Sequence, residues 1–164
     1  MAPVTRTLLV AVSLYAGGTL MATAQAPGAP EACALLPSAE VARLTGRDAL
    51  AGARQIGGEG DTPGSTNCGY LGSSLYVDVQ PLASIESFSG AAERLVKSGE
   101  FEVYPGLGDA AWFRKNESLG QHGFVVRVDR NLVTIMIDTS EAGSADSARA
   151  QLLPLAEAVV TKLR

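Results

Sequence analysis

The chain has 164 residues, with 13 Lys and Arg against 17 Asp and Glu, one His and two Cys. A formal charge of −4, with no basic run beyond Arg114-Lys115, excludes nucleic acid and anionic membrane surfaces as partners, because both demand clustered cations. One His and two Cys do not complete a metal-ligand set, and "DTPGSTN" lacks the dense acid spacing of a calcium loop, so no metal and no cofactor is expected.

Residues 1–24 read as a signal peptide. Arg6 is followed by an uncharged apolar stretch, and Ala22-Thr23-Ala24 and Ala24-Gln25-Ala26 both fit the small-x-small cleavage pattern. Gly17, Gly18 and Thr19 interrupt the stretch, which falls short of the roughly 20 apolar residues of a membrane span. A lipid-anchored cysteine follows directly on its apolar region, whereas Cys33 sits behind Pro30-Glu31-Ala32. No stable membrane anchor is expected, and the protein is placed in the periplasm or secreted. Loss of Arg6 with the leader leaves 12 basic and 17 acidic residues, a formal charge of −5. Residues 25–164 then form one domain, large enough to bury about two-thirds of its unfolded-state surface.

In an exported chain with only Cys33 and Cys68, the simplest use of the two thiols is one disulfide. Ser38 after Pro37 predicts a helix N-cap, with Glu40 in the first turn, Val41 and Leu44 facing inward and Gly46 as the stop. Residues 51–67 carry five glycines and a proline among few apolar residues and read as an exposed loop. The first strand begins near "NCGYLGSSLYVDVQ", where Leu75, Val77 and Val79 alternate with Tyr76, Asp78 and Gln80. Ser87 or Ser89 caps a helix that buries Ala92, Leu95 and Val96 and stops at Gly99. After a Pro-Gly turn comes a short strand at 110–114, with "KNESLGQHG" as a turn region. Phe124, Val126 and Val128 form one strand face, and Val133, Ile135 and Ile137 another beyond a tight turn at Arg130-Asn131. From Ser144 to about Leu163, Ala145, Ala148, Leu152, Leu155, Val159 and Leu163 recur at helical spacing, with a kink or break expected near Leu153 because Pro154 lacks an N–H. The order predicts an α+β domain whose four- to five-stranded, mainly antiparallel sheet is covered by helices.

With these elements placed, "CALLPSAEV", the cysteine of "CGY", "GLGDAAWF", the paired strands and the closing Ala/Leu-rich helix resemble a group of small bacterial extracytoplasmic proteins. Many of these are actinobacterial lipoproteins of unknown function with a PsbP-like fold. The likeness spans roughly residues 33–164. It implies a PsbP-like fold and brings no catalytic residues; the present leader departs from the lipoprotein members in lacking a lipobox.

Candidate chemistry is sparse. His122 in "GQHG" reads as an exposed turn histidine, with neither nucleophile nor orienting carboxylate indicated. Ser65 lacks the Gly-x-Ser-x-Gly setting of a hydrolase nucleophile, and Asp109 reads as a turn cap. No catalytic residue is assigned. Trp112 and Phe113 are strand neighbours and point to opposite faces, so one can fill the core while the other lines a groove with Tyr104 and Tyr76. Tyr104, Asp109 and Trp112, together with the 51–67 loop, form the candidate binding surface. The leading reading is a non-catalytic binding or accessory domain for a small molecule or an envelope or extracellular protein. A secreted inhibitor or protein-interaction module is the alternative, and a small hydrolytic enzyme ranks last. Mass analysis of the exported protein should place its N-terminus at Gln25 or Pro27; retention of residues 1–24 would overturn the secreted reading.

Overall fold

Two runs of alternating β-branched and aromatic residues build the centre of the sheet. In the computed structural model, which describes residues 28–47, 52–54, 63–82, 85–115 and 120–164 (the side chains of 85–89 excepted), they are β6 (Gln121–Val128) and β7 (Asn131–Asp138). Residues 1–24, read above as a leader, and residues 51 and 55–62 of the predicted loop lie outside the described residues. β6 and β7 pair antiparallel from Gln121 opposite Asp138 to Val128 opposite Asn131. Phe124, Val126, Val128, Val133, Ile135 and Ile137 share one face and are all at most 1% exposed. This is the period-two pattern expected of a sheet with one face in the core.

Around this hairpin the sheet has seven strands in the order β1-β2-β3-β7-β6-β5-β4, every pairing antiparallel. The others are β1 (Ala53–Arg54), β2 (Thr66–Tyr70), β3 (Tyr76–Pro81), β4 (Phe101–Val103) and β5 (Ala110–Arg114). The α+β class and antiparallel sheet stand as expected, but the count exceeds four to five. Two-residue β1 and three-residue β4 have too few residues to show alternation, and five-residue β2 (Thr-Asn-Cys-Gly-Tyr) carries no alternating apolar pattern, so only pairing with a neighbour reveals them.

The inner face is covered by α1 (Ala32–Leu35), α2 (Ser38–Thr45), α4 (Thr139–Ala142) and α5 (Ala145–Leu163); α3 (Ile85–Lys97) lies over the outer face of β4 and β5. Several local expectations are corrected. Pro37 rather than Ser38 occupies the N-cap of α2, because Pro37 is extended and already accepts the Glu40 and Val41 amides. α3 starts at Ile85, which puts Ser87 and Ser89 inside the helix instead of at its cap. Leu95 is 37% exposed, at the margin of the contact between α3 and the sheet, one turn beyond buried Ala92. α5 runs unbroken through Pro154: the one lost bond, to the Ala150 carbonyl, is outweighed by Leu152, Leu155, Ala156 and Val159, buried on both sides of it. Ser144 caps α5, accepting the Ser147 amide at 3.2 Å, and Gly46 closes α2 in the left-handed region at φ 66°.

Cys33, inside α1, is bonded to Cys68 of β2 across a separation of 35 residues. The same junction is held by Thr66, whose hydroxyl donates to the Pro30 carbonyl at 2.5 Å and accepts the Ala32 amide at 3.0 Å. Tyr70 completes it by donating to the Leu36 carbonyl at 2.6 Å. Closing that loop removes chain entropy from the unfolded state worth about 3–4 kcal/mol. Cys33→Ser should therefore lower the melting temperature by roughly 10 °C, and thiol titration of the unmutated protein in denaturant should find none; two titratable thiols would refute the bond.

Candidate functional site

Strand register sorts the outer-face side chains into rows. One row runs Tyr76, Met136, Gly123, Arg114, Phe101 from β3 to β4; the next runs Asp78, Thr134, Val125, Trp112, Val103. Gly123 is required where it stands, because a Cβ there would lie 2.2 Å from the Met136 sulfur and 2.3 Å from the Ile135 carbonyl oxygen. Its absence lets Met136 fold flat across β6, 4% exposed on a face where its neighbours are only half-buried.

At the β4 end of the second row the surface is apolar and indented. Ala91, Ala92 and Leu95 of α3 stand over Phe101, Trp112 and Val125 around a depression of about 60 Å³. On the other side of Ala92 a groove of about 280 Å³ is lined by Ala92, Val96, Val103 and Trp112, with Glu93 and Lys97 on its rim. Trp112, half-buried, contributes to both. The arrangement follows from sequence: the β5 pleat sends Phe113 into the core at 0% exposure and Trp112 to the other face, where small alanines of α3 leave its ring room.

The other residues expected to share this surface are elsewhere. Tyr104 continues β4 opposite Ala111 on the inner face, its amide donating to the Ala111 carbonyl at 2.8 Å, and its ring meets Phe124 edge-on at 5.1 Å. Asp109 braces the turn between β6 and β7: its carboxylate accepts the amide of Asp129, which sits at φ 51°, at 2.7 Å, and faces the Arg164 guanidinium at 3.6 Å. Gly108 beside it is irreplaceable, since a Cβ would fall 2.5 Å from the Arg127 carbonyl oxygen. Tyr76 lies on β3, three strand positions from Trp112, or roughly 14 Å at ordinary strand spacing. Burial raises its pKa, Arg114 lowers it, and Asp78 and Asp138 raise it further. The described part of the 51–67 stretch, including β1, lies at the sheet edge opposite β4.

His122 is the largest departure from expectation. It is a β6 residue at 0% exposure, on the inner face opposite Ile137 and stacked on Phe113 with centroids 6.4 Å apart. The Arg149 guanidinium lies 4.8 Å from the centre of the same phenyl ring. Neither imidazole nitrogen has a hydrogen-bond partner among the described residues. The flanking Gln and Gly suggest a turn, but the alternation His122, Phe124, Val126, Val128 already places the ring with the core side chains.

A second polar centre has no sequence signal at all. Glu141 of α4 accepts the Ser73 hydroxyl at 2.6 Å, the Ser74 amide at 2.5 Å and the Ser74 hydroxyl at 2.6 Å, and is paired with Arg47. Arg47 in turn donates to Ser73 at 2.9 Å and to Gln151 at 2.7 Å. Four donors meet the two carboxylate oxygens, so the protein itself engages the carboxylate's acceptor sites. The cluster ties the β2–β3 hairpin to α4 and to the end of α2. Among the described residues no group of three His, Cys, Asp or Glu is placed to hold a metal ion, and no helix is long and apolar enough to cross a membrane. No family model, curated protein or solved structure matches the chain.

Burial raises the pKa of Glu141, but the bonds from Ser73, Ser74 and Arg47 outweigh it and bring the value down from 4.5 to about 2. A carboxyl lowered in the folded state contributes stability that is complete above its unfolded pKa and disappears as the pH falls through the folded one. Thermal melts should show the unmutated protein losing stability between about pH 4.5 and about pH 2 more steeply than Glu141→Gln, and the variant should melt lower at pH 7. Parallel pH profiles for the two would refute the clamp.

Proposed function

We propose that the chain is an exported, non-catalytic binding domain that holds an apolar group in the groove between α3 and β5. The observation that carries this reading is Trp112: a large ring, half-buried at the floor of an indentation whose other walls are Ala92, Val96 and Val103. Aromatic floors with a polar rim suit small-ligand or side-chain recognition. The non-catalytic part of the reading rests on His122, whose ring is sealed in the core away from any substrate. Export is supported by the leader pattern together with the Cys33–Cys68 bond. The PsbP-like likeness rests on the residues quoted for it, and an antiparallel sheet flanked by helices is compatible with it.

Trp112 is the single tryptophan, so its emission reports the groove alone. Titration with anilinonaphthalene sulfonate should quench Trp112 by energy transfer at a stoichiometry of about one, as a single apolar site requires. The dye's own emission should show at least a fivefold weaker complex with Trp112→Leu, about 1 kcal/mol. Equal dye affinity in the variant would move the site elsewhere.

A further inference from the structure

β4 is the last strand of the sheet, and its pairing decides which of its backbone groups face outward. The Tyr104 amide donates to the Ala111 carbonyl at 2.8 Å and the Lys115 amide to the Glu100 carbonyl at 3.1 Å. Bonded residues alternate along an antiparallel ladder. Glu100, Glu102 and Tyr104 therefore direct their backbone groups to β5, while Phe101 and Val103 turn amide and carbonyl away from it. The side chains of Phe101 and Val103 are on the outer face, opposite Arg114 and Trp112. Val103 is 62% exposed, more than any other large apolar side chain among the described residues, and it is also a wall of the 280 Å³ groove. Edge strands are commonly blunted by shortness, by charge, by proline or by a covering loop; β4 is short and carries one charge, Glu102, but that carboxylate is paired with Arg149 and Lys115, and the strand holds neither lysine nor proline.

We propose that this edge accepts an extended segment of another protein as an added strand, with an apolar side chain beside Val103 entering the groove over Trp112. The inference names the ligand class for the groove and rests on the reading of that groove as the binding site. Two donors and two acceptors spaced two residues apart select an extended backbone rather than a helix or a compact small molecule. A second copy of this chain fits poorly: pairing Phe101 with the other copy's Val103 would set two Glu102 carboxylates directly opposite each other, and like charges so placed repel. Glu102 is already paired with Arg149 and with Lys115, the latter at 3.6 Å, so the residue facing it should be neutral. The pattern sought is apolar, neutral polar, apolar.

The probe is acetyl-Thr-Val-Thr-Val-Thr-amide, compared with the same peptide N-methylated at both valines, on the full disulfide-bonded chain. Amide hydrogen exchange at Phe101 and Val103 reads the edge, and Trp112 emission reads the groove. The unmethylated peptide should slow both amides by about tenfold or more and shift the emission, whereas the methylated one should slow neither. Val103→Lys, which melts within about 2 °C of the parent because the site is exposed, should abolish the protection. Equal emission changes with both peptides and no protection would overturn strand addition while leaving the groove reading intact. No response to either peptide at millimolar concentration, with the dye still bound, would overturn it as well. Protection that grows with protein concentration in the absence of peptide would assign the edge to a second copy and overturn the proposal.

Discussion

The seating of α5 on the inner face of β6 and β7 is the contact on which the rest of the structure depends. Those two strands present a strip of Phe, Val and Ile with His122 at one end of it, and α5 covers it with Ala148, Leu152, Leu155, Ala156 and Val159, none more than 1% exposed. Each large side chain so buried contributes about 1.5–3 kcal/mol, so Leu152, Leu155 and Val159 together outweigh the roughly 3 kcal/mol cost of a proline inside a helix. The helix then fixes what touches its ends. Near its start Arg149 reaches Glu102 of β4; near its finish Lys162 donates to the Leu35 carbonyl at 2.6 Å and pairs with Glu40, and Arg164 donates to the Gly108 carbonyl at 3.0 Å. Through these contacts α5 holds α1 and α2, and with them Cys33, in place against β2.

Committing the inner face to α5 leaves the outer face to be covered by what remains, and α3 covers only the β4 and β5 end of it. The groove is a consequence of that asymmetry. Of its described side chains, α3 brings Ala91, Ala92, Leu95 and Val96 to Trp112, which stays half-buried, and the short β4 leaves Val103 beside it in solvent. The "GLGD" segment, by contrast, is consumed by the fold: Gly108 packs against the backbone of β6 and Asp109 stabilises the next turn.

The half-buried carboxylate and the buried histidine illustrate opposite solutions. Glu141 is charged and saturated with donors, so it joins three segments at no cost in unpaired groups. His122 stacks on Phe113 but leaves two ring nitrogens without partners among the described residues. An unmet buried polar atom costs about 1–3 kcal/mol. That cost is borne by the same apolar strip that α5 covers.

The amino-acid sequence by itself determined the elements whose signals are local. Alternation along 124–137 specified the central hairpin, helical spacing from Ser144 specified α5, and two cysteines behind a leader-like N-terminal pattern pointed to the disulfide. It also decided that Trp112 and Phe113 part company, because the pleat is an intrinsic property of a strand. Other features are relations between distant residues, and only the tertiary structure decided them. The two- and three-residue strands exist through their neighbours. Tyr104 and Trp112, eight positions apart, face opposite sides of the sheet because a turn reverses the chain between them. Glu141 meets Ser73 and Ser74 across 67 or more positions, a closeness that no local pattern encodes. The groove, likewise, is the space left between a helix and a sheet edge, and it takes shape only once both have packed.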